Sequence, residues 1–309
     1  MNNSVNSNSS ELDIAYLQQL LRQRAQRRQL YENIAILGCG YVGSALAACW
    51  QEQGHFVTGT TTRQERVASL QPLLSKVAVI TGDDANAVQS LVQAQDTVVV
   101  SVAPTGFQVA DEATYEQTYL TTAKNLLQAL KQTPSVKQVI YLSSCSVYGD
   151  RQGEWVDENA AIFPSEPRSQ MLYEAEQIIS QANSEDQRIC ILRLGGIYGP
   201  GRELVGMLGG MAGMTLPGRG ERVINWSHRD DIVGVIEFAR LNQLQGIYNL
   251  VDDSQLTIKD QLERVCSRYG LPSVRWDQSR LSLPGKSVRV SNYKLKATGY
   301  QFIYPQSVV

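Results

Sequence analysis

From Asn33 onward the chain alternates short apolar runs with longer amphipathic stretches, a pattern that predicts strands joined by crossover helices in a parallel sheet. The apolar runs place strands at Ile34–Leu37, Phe56–Gly59, Val77–Ile80, Thr97–Val102, Val139–Ser143 and Ile189–Leu194. Helical segments open near Tyr41, Arg63, Asp84, Asp111 and Pro167, each long enough for a right-handed return to the same sheet. After Gly195 the texture shifts to turns rich in glycine and proline, as at Gly199–Pro200–Gly201 and Pro217–Gly218, and a smaller, more irregular lobe is expected there. Ahead of the first strand an Asn/Ser-rich, disordered start leads into Glu11–Glu32. This segment reads as a polar accessory helix with Leu12, Tyr16 and Leu20 on one stripe; Glu11 and Asp13 count against a transit peptide.

The first strand runs into Gly38-Cys39-Gly40-Tyr41-Val42-Gly43, and Ser44–Ala48 is a good helix opening. A lone glycine motif is weak, but the strand before it and the helix after it supply the context of a dinucleotide-binding turn. Gly38 permits the tight turn, Gly40 lets the main chain approach a pyrophosphate, and Gly43 lets the helix pack close. The amides around Tyr41 and Val42 then open a helix whose dipole favours phosphate. The competing readings are a turn that is merely glycine-rich and an S-adenosylmethionine-binding loop. The fold expected is α/β, a Rossmann doubly wound parallel sheet with a smaller, irregular C-terminal substrate lobe. Residues 1–32 form the start and accessory helix, 33–194 the dinucleotide-binding domain and 195–309 the second lobe, with sheet and helices partly shared.

The end of the second strand decides between cofactors, because an acid there, roughly 20 residues past the loop, would bind a ribose 2′-hydroxyl. This chain has Thr60-Thr61-Thr62-Arg63 instead. An arginine pairs with a 2′-phosphate and threonine hydroxyls donate to it, so Thr61, Thr62 and Arg63 favour NADP over NAD. The plainer alternative is that Arg63 simply opens the next helix on a solvated surface.

Composition narrows the partners. With 28 Lys and Arg against 30 Asp and Glu, the formal charge of -2 gives no reason to expect nucleic acid or an anionic membrane. Five scattered cysteines without a C-x-x-C pair suggest neither a disulfide framework nor a zinc ribbon, and point to a reducing cytoplasm. His55 and His228 have no ligand spacing, so no metal is expected. No apolar run approaches the roughly 18 residues of a membrane span. A small-molecule substrate and a monomer or homodimer are expected.

Several further motifs lie in order along the chain: Gly82-Asp83, Ser143-Ser144-Cys145-Ser146-Val147-Tyr148-Gly149, Arg193-Leu194-Gly195-Gly196-Ile197-Tyr198-Gly199-Pro200-Gly201-Arg202 and His228-Arg229-Asp230-Asp231. With the glycine loop they make the chain, from about Ile34 to Pro305, resemble the extended short-chain dehydrogenase/reductase superfamily, which includes nucleotide-sugar epimerases and dehydratases. The resemblance implies that Asp83 meets the adenine amino group, that Val102, Ala103 and Pro104 run along the cofactor, and that Ser144 hydrogen-bonds the reacting substrate oxygen. The plain readings are a helix cap for Asp83, a strand end for the next three and a turn for Ser144.

That family's reaction normally uses a Tyr-x-x-x-Lys pair on one helical face. Anchored on Ala175-Glu176, the two positions fall on Arg168 and Leu172, and neither can substitute chemically. Tyr173 lies one residue too far, about 100° around the helix, and is read as a packing residue. Tyr148 is the phenol expected to face the substrate, or else to pack beneath the nicotinamide. The gap resembles the atypical, extended-like members of the superfamily. On the substrate side Arg202, Arg222 and His228 are candidates, with surface arginines and a buried histidine as the plain readings, and Asp231 is expected to cap the helix Ile232–Leu241. Two functions stay open: an NADP-dependent oxidoreductase or epimerase-like enzyme on a sugar-type or carbonyl substrate, and a non-catalytic dinucleotide-binding redox sensor or partner-binding protein.

Overall fold

The computed structural model describes residues 31–104, 111–282 and 285–309. The accessory helix expected over Glu11–Glu32 lies outside the described residues except at its end, where Tyr31 and Glu32 lead straight into the first strand.

Seven strands form the central sheet: β1 (Asn33–Leu37), β2 (Phe56–Thr61), β3 (Lys76–Val79), β4 (Thr97–Val100), β5 (Gln138–Ser144), β6 (Arg188–Leu194) and β7 (Gly246–Leu250). Their spatial order is β7-β6-β5-β4-β1-β2-β3, and every pairing is parallel. The order reverses between β1 and β4, which opens a crevice at the carboxyl ends of these two strands. The doubly wound fold expected from the apolar pattern is therefore the one observed.

Side chains alternate across the sheet because the strand period is two. Ala35, Leu37, Val98, Val100, Val139 and Tyr141 face one layer, made by α2 (Ala85–Val92), α3 (Thr122–Lys131) and α4 (Pro167–Ser180). Ile34, Ile36, Val99, Ile140, Cys190 and Leu192 face the other, made by α1 (Tyr41–Glu52) and α5 (Arg229–Asn242). The helix starts follow local chemistry. The Asp84 carboxylate accepts from Ala87 N at 3.0 Å to cap α2, and Pro167 stands in the first turn of α4, where its missing N–H costs nothing.

Two boundaries differ from the sequence pattern in ways that shape the site. The run Thr97–Val102 is strand only as far as Val100, and residues 101–104 line the crevice. The seventh strand comes from beyond Gly195: β7 pairs with β6 over its full length, and α5 packs beside α1. A smaller hydrophobic cluster beyond the sixth strand is built on α6 (Ile258–Tyr269), opened by a capping box between Thr257 and Asp260. It gathers Tyr198, Leu204, Leu208, Leu216, Trp226 and Leu262.

Candidate functional site

A cleft of about 1740 Å³ opens at the crevice between β1 and β4. Its floor is the glycine loop. Gly38 has φ +99°, a conformation that favours glycine, and a Cβ on it would stand 2.6 Å from Ser101 O. A Cβ on Gly43 would come within 2.2 Å of Gly38 O, so α1 can lie this close to the turn only without a side chain there. Gly40 differs: a Cβ on it would meet nothing within 4 Å and would project into the open cleft. Main chain bare toward a cavity at the start of a helix suits a pyrophosphate, so these residues fit a dinucleotide. Tyr41 and Val42 line the same floor.

The loop is tied to the end of β2. Gly38 N donates to Thr60 Oγ1 at 2.8 Å and Cys39 N to Thr60 O at 2.8 Å. The Cys39 carbonyl accepts from Ser44 Oγ at 2.9 Å and from the Arg66 guanidinium at 2.8 Å. Burial pushes the Cys39 thiol up to about 11, which leaves it protonated and unreactive. Thr61, Thr62, Arg63 and Arg66 line this end of the cleft together. Arg63 has a half-exposed side chain 3.7 Å from Glu65, so its charge meets water and the cleft at once. Arg66 is a residue that sequence reasoning missed; its signal was one helical turn past Arg63. Asp83 also lines the cleft, while the cap expected as its plain reading belongs to Asp84. Val102, Ala103 and Pro104 form the wall opposite β2.

The catalytic candidates separate. Ser144 ends β5, half-buried and not among the residues that line the cleft, and its Oγ accepts from Ser146 N at 3.1 Å. Its own proton is donated to none of the described residues in the bonds observed. Tyr148 corrects the expectation of a substrate-facing phenol. It is fully buried; its hydroxyl donates to Asn249 Oδ1 at 2.7 Å and accepts from the Arg193 guanidinium at 3.0 Å, and it does not line the cleft. The physical reason is a charged network in the core. Glu176 accepts from Ser143 Oγ at 2.5 Å and forms a 2.7 Å ion pair with Arg193, both side chains almost wholly buried. Burial pushes the Tyr148 phenol well above its ordinary range, although the neighbouring Arg193 charge opposes the shift.

On α4, Arg168 stacks toward the Tyr115 ring at 5.9 Å, Leu172 is buried in the core, and Tyr173 packs partly buried against it. The tyrosine and lysine of the usual pair thus have no spatial replacement on this helix. A lysine does approach from another quarter. Lys286 Nζ lies 2.7 Å from Ser169 Oγ and 3.3 Å from Ser146 O, delivered by a segment 140 residues away and invisible to local pattern.

The substrate-side candidates are also redistributed. His228 is buried at the start of α5, where Nδ1 accepts from Asp230 N at 3.2 Å and the ring stacks on Tyr304 at 3.7 Å. Burial lowers its pKa to about 4, so it is a neutral cap, and it does not line the cleft. Asp231 does not cap this helix, as expected from sequence, but holds the C-terminal segment, accepting from Ile303 N at 2.7 Å and Tyr304 N at 3.0 Å. Arg222 lies beside Gly285, away from the cleft lining. Arg202 does line the cleft, but over the glycine loop: its guanidinium stands 5.9 Å from the Tyr41 ring centroid. Among the described residues no cluster of His, Cys, Asp and Glu is arranged to hold a metal ion, and no helix is long and apolar enough to cross a membrane.

Comparison with known proteins agrees with this fold. The model of the NAD dependent epimerase/dehydratase family matches residues 34–250. The chain is 27% identical over 284 residues to Protein YeeZ of Escherichia coli K12, covering 90% of this chain and 98% of that one. Its fold is similar to that of the human epimerase family protein SDR39U1 (isoform 2) with NADPH, at TM-score 0.72 and 20% identity over 89% and 96% of the two chains. It is likewise similar to UDP-glucuronic acid 4-epimerase of Bacillus cereus in complex with NAD, at TM-score 0.68 and 21% identity over 86% and 91%.

Proposed function

The chain belongs to the NAD dependent epimerase/dehydratase family, and from that premise we propose that it binds NADP(H) in the cleft and acts as an oxidoreductase or epimerase-like enzyme on a sugar-type or carbonyl substrate. The observation that carries the cofactor choice is the end of β2. Thr61, Thr62, Arg63 and Arg66 face the cleft where an NAD-preferring site would hold a carboxylate against the ribose. Family membership alone does not choose, since the human structure contains NADPH and the Bacillus one NAD. A charge-assisted contact to a 2′-phosphate contributes about 1.5–3 kcal/mol, roughly ten- to a hundred-fold in affinity. Fluorescence titration is expected to give tighter binding for NADPH than for NADH, with Arg63→Ala and Arg66→Ala each eroding the preference. Equal affinity for the two nucleotides in the unmodified protein would sink this choice.

The bound nicotinamide supplies hydride chemistry. We assign Ser144, whose hydroxyl proton is free, to polarising the carbonyl of a substrate that reaches past the cleft lining to the end of β5. With Tyr148 turned into the core, an ordered water and not a phenol delivers the proton. We place the protein in the cytoplasm as a monomer or homodimer; its unpaired cysteines are consistent with that setting.

Arg168 and Leu172, at the positions of the missing pair, favour a second reading, in which the protein senses or presents a dinucleotide without turning over. Nicotinamide absorbance during incubation with ketones, aldehydes and nucleotide sugars separates the two. Turnover that disappears in Ser144→Ala rejects the sensor; firm NADPH binding with no turnover on any substrate supports it.

A further inference from the structure

Tyr41, the first residue of α1, is gripped by residues that lie far along the chain. Its hydroxyl donates to Pro200 O at 3.0 Å. The Arg229 guanidinium stands 5.3 Å from its ring centroid and that of Arg202 5.9 Å, and both arginines line the cleft. Arg229 is partly neutralised by Asp230 at 3.1 Å. Arg202 is exposed and forms no ion pair among the described residues. Each guanidinium lies toward the outer limit of cation–π range from the ring, and the two like charges on this side of the cleft disfavour one another. An anion between the ring and the loop would turn this repulsion into attraction on both sides.

We propose that Arg202 and Arg229 close over the pyrophosphate of the bound dinucleotide, opposite the glycine-loop amides, so that residues from beyond the sixth strand hold the cofactor directly. This rests on the dinucleotide reading of the cleft, and it moves Arg202 from the substrate to the cofactor. Guanidinium is suited to the task because its fork can take two phosphate oxygens at once. Arg63 and Arg66 line the same cleft just past the end of β2, so the two arginine pairs would report on different parts of one ligand: the adenosine 2′ position and the pyrophosphate bridge.

The test is to titrate NADPH, NADH and ADP-ribose into the unmodified protein, Arg202→Ala, Arg202→Lys and Arg229→Ala, with a thermal melt to confirm folding. ADP-ribose carries the pyrophosphate but neither nicotinamide nor 2′-phosphate. Arg202→Ala is expected to weaken all three by a common factor of about ten, leaving the NADPH-to-NADH ratio as it was. Arg202→Lys should fall between, and Arg229→Ala should lose less because Asp230 already offsets its charge. Unchanged affinities in Arg202→Ala, or a loss confined to NADPH, overturn the clamp while the cofactor reading stands. If the unmodified protein binds none of the three, the cofactor reading fails and the clamp with it.

Discussion

Asp252 carries a carboxylate whose Oδ2 finds no hydrogen-bond partner among the described residues, while its Oδ1 accepts from Ser254 N at 3.0 Å. Burial raises its pKa to about 7. A carboxyl held above its unfolded value, about 3.9, contributes stability that is complete below that value and is lost as pH rises through the folded one. Asp252→Asn removes the titration. We expect the variant to melt close to the unmodified protein near pH 4 and above it at pH 8, by ~2–4 °C for each kcal/mol in a chain of this size. Asp231, raised to about 6, acts in the same direction, and His55 and His228, each lowered to about 4, act in the opposite one. The difference between the two proteins across pH is therefore the readout, and a constant difference would contradict the assignment. At this scale the sequence was legible where a side chain's task is local. Thr61, Thr62, Arg63 and Asp83 stand on the cleft because strand ends point there in any sheet of this type. Tyr148 was misplaced, and His228 stayed open between cleft and core until its buried reading held, because their orientation is set by Arg193, Asn249 and Tyr304, each distant in sequence.

Elements were the most legible scale. Six of the seven sheet strands follow from apolar runs of β-branched residues, and the helices open at Asp84, Asp111 and Pro167 because capping chemistry is written in neighbouring residues. The missed strand, β7, is five residues long and contains Asn249, whose side chain meets Tyr148 and Ser291, and whose main-chain amide meets Glu158, once the fold exists. The early end of β4 had no local signal either, since Ser101 lies where Gly38 comes so close that a Cβ on the glycine would stand 2.6 Å from Ser101 O. That contact between loop and helix is testable. Gly43→Ala would drive a methyl against the Gly38 carbonyl, now 2.2 Å from the Cβ position, and α1 must retreat from the turn. We expect a lower melting temperature together with a loss of dinucleotide affinity of tenfold or more; normal affinity in a folded Gly43→Ala protein would show that α1 can shift without disturbing the floor.

Across the whole molecule, the change of texture at Gly195 marks where loops lengthen, while the packing continues through it. Trp50 Nε1 on α1 donates to Glu237 on α5 at 2.7 Å, and Arg240 bridges Glu237 to Glu32 ahead of β1 at 2.7 Å. Such buried charges must be matched to be tolerated, so each partner depends on the others being in place. The seventh strand carries the further implication. A gene shortened to stop after Leu194 would leave β6, with its sequence RICILRL, as a bare margin of seven residues. Unpaired margins of that kind recruit one another. Light scattering should find such a product as oligomers or precipitate; a monodisperse, folded product would refute this. The nucleotide-binding half is accordingly no portable cassette, and any chimera built from it must borrow its last strand from the other end of the chain.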